Sequence, residues 1–433
     1  MGSDSTVSSQ LISRIGQFRD GDWDTAVRRR TELCLIDSLA CYSAGRSLKH
    51  FAPSAIVASQ LLGTNSDGSE LSPFVMAYLY GQAANSLDYD DTLMGHPGAA
   101  TIGAILALAS HERLSTDRLL RGIAAGYEIQ WLLSVAAAPS YERAALVRSV
   151  GVWDTVAASI GVSVSLGLED SMIERVIGVA VSHSVLPYTA KWYTRPIPAL
   201  KNNLGWAAAG AVMSTCLARA GQTGVMNALD GETGMWRMAG PAVLRVGFKH
   251  FPACWHLQEY LKTVSKLLEM MAPKDDVVEI IVAGPEEIKK FCQRDISGSA
   301  DIAFSLPATF SLLISRVEPG PLWDSFGNGD DALRYAETFR YEESEDRAIT
   351  LRTRRGSEMK AVVNVCGHYH FDKASWGLDE DGVLAKHARL TDTTLRTETA
   401  AALAARNSSE SSVPDRLYRA MRNDMAIKHH ESN

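Results

Sequence analysis

The sequence predicts a mainly α-helical fold with an α+β part: a large all-α helical domain and a smaller, inserted α/β lid domain. Apolar residues recur at helical spacing through the first half of the chain. One later segment is typical of a strand that ends in a turn, and helical spacing returns near the C-terminus. At 433 residues the chain is long for a single core, so two domains are expected.

Helices are predicted along most of the first 239 residues. Segment 31–45 places apolar residues three and four positions apart and stops at Gly45, a residue typical of helix C-caps. Segment 99–110 is almost entirely small and aliphatic, which predicts a helix that is buried on every side. The same spacing predicts further helices over 116–138, 156–167, 171–185 and 203–221. Frequent alanine and glycine let helix axes approach closely, as in a compact bundle.

The lid domain is predicted from a change of pattern near Gly247. Residues 277–284 are typical of a strand, and segments 348–352 and 359–365 flank a hairpin signal at 354–357. Helical spacing then returns over 383–405, and Pro414 opens a last helix. We therefore expect residues 1–246 and 378–433 to form the helical domain and 247–377 the lid. An inserted domain leaves a cleft at the junction, where ligand sites often lie.

Composition narrows the possible partners and compartments. A formal charge of −7 argues against nucleic acid and against an anionic membrane surface as partners. There is no secretory signal at the N-terminus and no apolar run of the roughly 18 residues that a membrane span needs. The six cysteines include no Cys-x-x-Cys pair, which favours reduced thiols in a cytoplasmic protein.

The most informative stretch is Asn85–Gly98, where three carboxylates, a hydroxyl and an imidazole fall within nine residues. Such a cluster is costly to bury unless it is paired or functional. The spacing predicts that Asp88 and Thr92 share one helical face. Gly95 and Pro97 should end that helix and leave His96 beside the next helix N-terminus, where free N–H groups attract anions.

An imidazole and a carboxylate beside an anion site can move a proton at a carbon next to a carboxylate. Two other interpretations of the cluster remain open. One is an exposed acidic turn without chemistry. The other is the Asp-x-Asp-x-Thr signature of haloacid dehalogenase-type phosphatases, in which Asp88 would be the nucleophile and magnesium is required. That motif follows a buried strand, whereas the residues before Asp88 are not a β-branched run.

Several blocks resemble one known family. The central block is Leu-Asp-x-Asp-Asp-Thr at residues 87–92, followed by His96 and Pro97. Supporting blocks occur in order at 35–40, 122–128, Lys201 with the alanine-rich segment after it, and 249–253. Together they resemble the MmgE/PrpD family of dehydratases, decarboxylases and epimerases. The resemblance implies an all-α domain with an α/β lid, chemistry without a cofactor or metal, and a homodimer.

The resemblance also implies which residues form the site. Lysines would hold the carboxylates of a small-molecule substrate, and an acid/base group would exchange a proton at the neighbouring carbon. The catalytic candidates are Asp88, His96, Lys201, Lys249 and His256. The substrate-binding candidates are Thr92, Asp91, Cys254, Tyr193 and Trp153.

Three positions depart from the pattern of decarboxylase relatives. Cys254 stands where they carry histidine, Trp153 replaces part of a histidine-containing segment, and Ala308 stands where a tyrosine is expected. The segment 251–256 fits a dehydratase-like pattern instead. These changes predict a less polar pocket than one for cis-aconitate.

The sequence therefore predicts a cofactor-independent lyase of the dehydratase or decarboxylase type. An epimerase that uses the same proton abstraction is the first alternative, and a degenerate member that only binds a ligand is the second. Asp88 or His96 would be the base, and His256 would be the acid. Lys201 and Lys249 would bind anions, and Thr92 would form a hydrogen bond with the substrate or with Asp88.

Overall fold

The computed structural model describes residues 7–61, 71–136, 153–184, 197, 202–226, 228–229, 241–272, 275–325, 331–364, 377–407 and 412–426. These residues are mainly α-helical and include one small mixed sheet, which confirms the predicted fold class. In the described ranges, each helix is too short or too polar to span a lipid bilayer.

The first part of the chain is helical, as its apolar spacing predicts. Its α-helices are α1 Val7–Arg19, α2 Thr25–Gly45, α3 Ala52–Leu61, α4 Pro73–Asn85, α5 Gly103–Glu112, α6 Thr116–Ala136, α7 Asp154–Ser165, α8 Asp170–Ser182 and α9 Leu204–Arg219. Short 3₁₀ helices cover Lys49–Phe51 and Ala242–Arg245, and a π-helical turn covers Gly98–Ile102. Helix α2 begins earlier than segment 31–45 because the Asp24 side chain caps its first turn by accepting from the backbone N–H of Ala26.

Glycines allow these helices to pack with their backbones nearly in contact. A Cβ atom added at Gly45 of α2 would lie 1.8 Å from the carbonyl oxygen of Ala83 in α4. A Cβ atom added at Gly81 of α4 would lie 2.6 Å from the carbonyl oxygen of Leu204 in α9. Helix α4, which leads directly into the acidic stretch, is therefore held closely by its neighbours on two sides.

The α+β part contains the helices α10 Gln258–Met270, α11 Glu286–Lys289, α12 Ser299–Ile302, α13 Leu306–Ile314 and α14 Leu322–Ser325, with 3₁₀ helices at Trp255–Leu257 and Asp331–Thr338. Its strands are β1 Val277–Gly284, β2 Phe339–Glu343, β3 Ala348–Thr353 and β4 Glu358–Val362, in the order β2-β1-β3-β4. Strand β1 pairs parallel with β2 and antiparallel with β3. The predicted strand and hairpin are thus confirmed.

The C-terminal helices are α15 Glu380–Leu390, α16 Thr393–Ala404 and α17 Ser412–Ala426, with a 3₁₀ turn at Ala405–Asn407. The helical pattern predicted over 383–405 is confirmed, and it comprises two helices. Thr391 is extended, and the Asp392 side chain accepts from the backbone N–H of Leu395, which starts a new helix. Helix α15 packs against α2, so the chain returns to the first helices.

Buried apolar side chains form two large clusters in the described residues. One comprises side chains of residues 11–248 together with 383–421. The other comprises Ile197 and side chains of residues 251–363, including the inward face of β1. We propose that these clusters are the cores of the two predicted domains, with the chain crossing between them near residues 247 and 377.

The close approach of α2 and α4 makes a prediction about stability. Gly45→Ala should lower the free energy of unfolding by about 2 kcal/mol or more, because the new methyl group would push against the backbone of α4. Gly16→Ala in α1 is the matched control. No heavy atom lies within 4 Å of a Cβ at Gly16, so this change should raise stability by about 0.5–1 kcal/mol. Urea unfolding measures both, and an unchanged midpoint for Gly45→Ala would contradict the packing.

Candidate active site

The acidic stretch forms a buried loop between α4 and the π-helical turn at Gly98. Helix α4 ends at Asn85, and Asp88 has a backbone φ of +52°, in the left-handed region. The prediction that Asp88 and Thr92 share one helical face is therefore wrong, because a left-handed residue cannot continue a right-handed helix. The exposed fractions of the polar side chains are 3% for Asp88, 0% for Asp90, 0% for Asp91, 3% for Thr92 and 4% for His96.

Lys249, from a distant segment of the chain, contacts this loop. Its side chain is fully buried, and its ammonium donates to Asp88 Oδ1 at 2.8 Å and to the Asp88 carbonyl oxygen at 2.6 Å. Burial disfavours the charged lysine, but Asp88 and Asp90 outweigh burial and raise the pKa of Lys249 above its ordinary value. Lys249 and Asp88 therefore form a charged pair inside the protein.

The imidazole of His96 lies between two carboxylates. Its Nδ1 is 3.2 Å from Asp90 Oδ2, and its Nε2 is 3.8 Å from Asp88 Oδ1. Burial favours the protonated form of Asp90, but His96 and Lys249 outweigh it and hold the pKa of Asp90 below its ordinary value. The arrangement places an ionised carboxylate against one ring nitrogen and leaves the other ring nitrogen near Asp88.

Two asparagines support Asp90 and were missed by the sequence analysis. Asn85 Nδ2 lies 2.9 and 3.2 Å from the two carboxylate oxygens of Asp90 and donates to them. Asn202 in turn donates to Asn85 Oδ1 at 2.7 Å. The last residue of α4 and a residue just before α9 thus fix the carboxylate that faces His96.

Asp91 has both carboxyl oxygens occupied by protein groups. Tyr127 donates to Oδ2 at 2.5 Å, and the backbone N–H of Gly98 donates to Oδ1 at 3.2 Å. Burial, together with the charges of Asp37 and Asp90, raises the pKa of Asp91 to about 8. Asp91 is therefore mainly neutral at pH 7 and joins the loop to helix α6, and its predicted role in substrate binding stays a prediction.

Backbone pairing joins the acidic loop to the first segment that crosses between the two clusters, and that segment pairs with the second. Thr92 and Gly247 exchange N–H···O bonds of 3.1 Å, and Phe248 pairs with Gly377. Gly377 has φ +94°, and a Cβ atom there would lie 2.1 Å from the Phe248 carbonyl oxygen. This position requires glycine, and the close pairing sets where Lys249 enters the site.

Asp88, Asp90 and His96 could also bind a cation, because one ligand atom of each lies within 4.8 Å of the others. Two carboxylates and an imidazole are suitable donors for a divalent transition metal. The ammonium of Lys249, however, lies 2.8 Å from Asp88 Oδ1 and would repel such an ion. The donor set therefore fits a metal only if Lys249 moves away.

Comparisons with known proteins show the family of this chain. The sequence profile of the MmgE/PrpD N-terminal domain matches residues 9–242, more than half of the chain. The chain belongs to the MmgE/PrpD family. It is 26% identical over 277 residues to cis-aconitate decarboxylase of Homo sapiens, covering 57% of this chain and 56% of the relative. It is 26% identical over 241 residues to the Mus musculus enzyme of that name, covering 52% of this chain and 48% of that relative. The chain thus spans about half the length of the curated relatives it matches.

The profile of the MmgE/PrpD N-terminal domain includes the acidic loop but ends before Lys249. The matched region therefore contains Asp88 but not Lys249, and the contact between them is seen only in the structure. Helix α4 occupies residues 73–85 ahead of the loop, where the phosphatase motif would require a strand. This described segment therefore lacks the strand that the phosphatase interpretation requires before Asp88.

Cys254 belongs to the second apolar cluster of this MmgE/PrpD protein, and His256 contacts Phe291 of the same cluster. Cys254 is 5% exposed, and its N–H donates to the Ala303 carbonyl. The His256 ring lies 5.6 Å from the Phe291 ring and lines a cavity of about 30 Å³ that Lys290 also lines. The roles of His256 as acid and of Cys254 in substrate binding stay predictions.

Gln258 organises the segment around Lys249, which the sequence analysis did not foresee. Its side-chain oxygen accepts from the backbone N–H groups of His250 and Phe251, and its nitrogen donates to the carbonyls of Phe251 and Ala253. Four bonds from one buried amide hold this irregular backbone in place.

The remaining predicted site residues are distributed as follows. Trp153 is half-buried before α7 and packs against the helical cluster. Ala308 is fully buried in α13, where its N–H donates to the Ser305 hydroxyl that caps the helix. Lys201 and Tyr193 lie outside the described residues, so their roles stay predictions.

The state of Asp91 predicts a pH dependence of stability. Because the folded-state pKa is raised from 3.8 to about 8, the folded protein holds a proton that the unfolded chain releases between these values. The stability from neutral Asp91 is complete below pH 3.8 and is lost as the pH rises towards 8. In Asp91→Asn this loss, up to about 1.4 kcal/mol per pH unit, should disappear. Urea unfolding of both proteins from pH 5 to 8 tests this, and parallel stability curves would contradict it.

Proposed function

We propose that this protein is a cofactor-independent lyase of the dehydratase or decarboxylase type, acting on a small molecule that carries a carboxylate. The observation that carries the proposal is the buried chain Lys249–Asp88–His96–Asp90. It combines a fixed ammonium, two carboxylates and an imidazole at distances of 2.8 to 3.8 Å between successive groups. The similarity to cis-aconitate decarboxylases supports the same reaction class.

His96 and Asp88 are the proposed proton-transfer groups. Asp90 lies 3.2 Å from His96 Nδ1, so a proton on Nδ1 would face a carboxylate and Nε2 would be left to accept a proton. This division of roles, with one carboxylate orienting an imidazole, recurs in many sites of acid–base catalysis. In a dehydration, the proton would come from the carbon next to a substrate carboxylate, and a carbanion or enolate would form before water leaves. In a decarboxylation, loss of carbon dioxide would form the carbanion, and the same groups would deliver a proton to it.

The Lys249 ammonium is paired with Asp88, and Asp90 adds a second negative charge beside it. A substrate carboxylate therefore needs one more cation. We propose Lys201, the predicted second lysine of the family pattern, as that cation. Asn202, its neighbour in the chain, takes part in the network around Asp90.

Reaction products decide between the proposal and its alternatives. We would incubate the protein in D₂O with a panel of di- and tricarboxylates, cis-aconitate included, and follow each by ¹H NMR and mass spectrometry. A lyase changes the mass by loss or addition of water or by loss of carbon dioxide. Deuterium incorporation without such loss would show an isomerase instead, and saturable binding with neither change would show a ligand-binding protein. Either result would overturn the proposal.

Asp88→Asn tests the role of this carboxylate in turnover. The amide keeps an oxygen that can accept from Lys249 but no longer accepts a proton, so the turnover rate should fall by about two to four orders of magnitude. His96→Gln should cause a loss of similar size. Lys266→Met, on the exposed face of α10, is the control and should retain the wild-type rate. Wild-type turnover in Asp88→Asn, with folding verified by circular dichroism, would reject the assignment.

A further inference from the structure

A second buried lysine, Lys386, contacts the acidic loop. Lys386 of α15 is 2% exposed, and its ammonium donates to Asp37 Oδ1 of α2 at 2.8 Å. It also donates to the Tyr89 carbonyl oxygen at 2.6 Å and lies 3.7 Å from the centre of the Tyr89 ring. Lys386 therefore links α2 and α15 to the residue that follows Asp88.

Two successive carbonyls of the loop are thus held by two different lysines. The carbonyl of Asp88 accepts from Lys249, and the carbonyl of Tyr89 accepts from Lys386, both at 2.6 Å. Asp88 has a left-handed backbone, which is unfavourable for a residue with a side chain and persists only where surrounding contacts enforce it. The two ammonium groups are contacts of this kind, one on Asp88 itself and one on the residue that follows it.

Helix α15 also holds the side chain of Tyr89. Arg389, three residues after Lys386 and on the same face of the helix, donates to the Tyr89 hydroxyl at 3.1 Å. That hydroxyl donates to the carbonyl of His250 at 3.0 Å, next to Lys249 in the chain. One helical face therefore contacts the acidic loop and, through Tyr89, the segment that delivers Lys249.

We infer that Lys386, paired with Asp37, is a positioning residue that holds the backbone of Asp88 and Tyr89 so that the Asp88 carboxylate meets Lys249 and His96. The catalytic part of this inference rests on the proposed function. Lys386 does not act on the substrate, because its ammonium is engaged by Asp37 and by the Tyr89 carbonyl and ring. Asp37 provides the negative charge that allows the ammonium to be buried.

The test replaces both members of the pair. Lys386→Met alone would leave Asp37 buried and unpaired, whereas the double variant Asp37→Asn/Lys386→Met is neutral and removes the ammonium from the Tyr89 carbonyl. The matched control is Asp415→Asn/Arg419→Met, which removes an ion pair from the surface of α17. Both double variants should unfold cooperatively, as judged by thermal unfolding.

The first readout is structural and needs no turnover. In a crystal structure of Asp37→Asn/Lys386→Met, we expect Asp88 to leave its left-handed backbone and the distance from Lys249 Nζ to Asp88 Oδ1 to exceed 4 Å. An unchanged loop would overturn the inference whatever reaction the protein catalyses. A displaced loop in a protein that turns over no carboxylate would support the positioning role and count against the proposed function alone.

The second readout is kinetic. With a substrate identified, the double variant should lower kcat 10- to 100-fold and change KM less than threefold, because the reacting carboxylate is misplaced while anion binding persists. In an Asp88→Asn background, the same double substitution should cause less than a twofold further loss. Multiplicative losses in the two backgrounds would show general destabilisation and would overturn a role through Asp88.

Discussion

The contact between Lys249 and Asp88 is the interaction on which the rest of the site depends. A buried ion pair recovers its desolvation cost only when its geometry is good and further hydrogen bonds satisfy both groups. Lys249 meets this condition by donating to the side chain and to the carbonyl of the same residue. Lys249 lies two residues after Gly247, which pairs with Thr92 of the acidic loop. The position of Lys249 in the site therefore depends on the path of the chain between the two apolar clusters.

The protein uses three different means to bury four neighbouring carboxyl groups. Asp88 and Asp37 each face a buried lysine, and Asp90 faces an imidazole and an amide. Asp91 instead keeps its proton, because burial and nearby negative charge raise its pKa to about 8. A neutral Asp91 spares the loop one more buried charge and still anchors it to Tyr127 and Gly98.

Helical spacing was enough to predict the fold because it reflects which faces are buried, and burial is what stabilises these helices. The errors fall where local geometry overrides spacing. The interval from Asp88 to Thr92 fits one helical turn, but the left-handed backbone at Asp88 ends that pattern. The apolar spacing over 383–405 also does not mark the boundary between two helices, which the capping side chain of Asp392 sets. Polar residues with a preference for caps and turns can interrupt a helix without any change in the apolar pattern.

Residues that touch the site from distant segments could not be found in this way. Lys386 belongs to one of the C-terminal helices, and a lysine in a helix is ordinarily solvated. Its burial becomes visible only when α15 packs on α2 and brings it to Asp37. Asn202 and Gln258 are similar cases, since each matters through hydrogen bonds to one particular partner segment. In contrast, Asp88 and His96 were recognised from the dense polar cluster at residues 85–98, and Lys249 from the family resemblance.

The engagement of Lys249 by Asp88 has a consequence for substrate binding under the proposed function. An incoming carboxylate that binds the Lys249 ammonium must share it with Asp88, because the ammonium is fully buried and already donates to that side chain and its carbonyl. Sharing weakens the attraction that keeps Asp88 ionised, so Asp88 becomes a stronger base as the substrate arrives. The carboxylate would thus be held inactive by its ion pair in the free protein and be activated by the anion whose neighbouring carbon it deprotonates. In such an arrangement, binding of the anion to the Lys249 ammonium directly raises the basicity of Asp88.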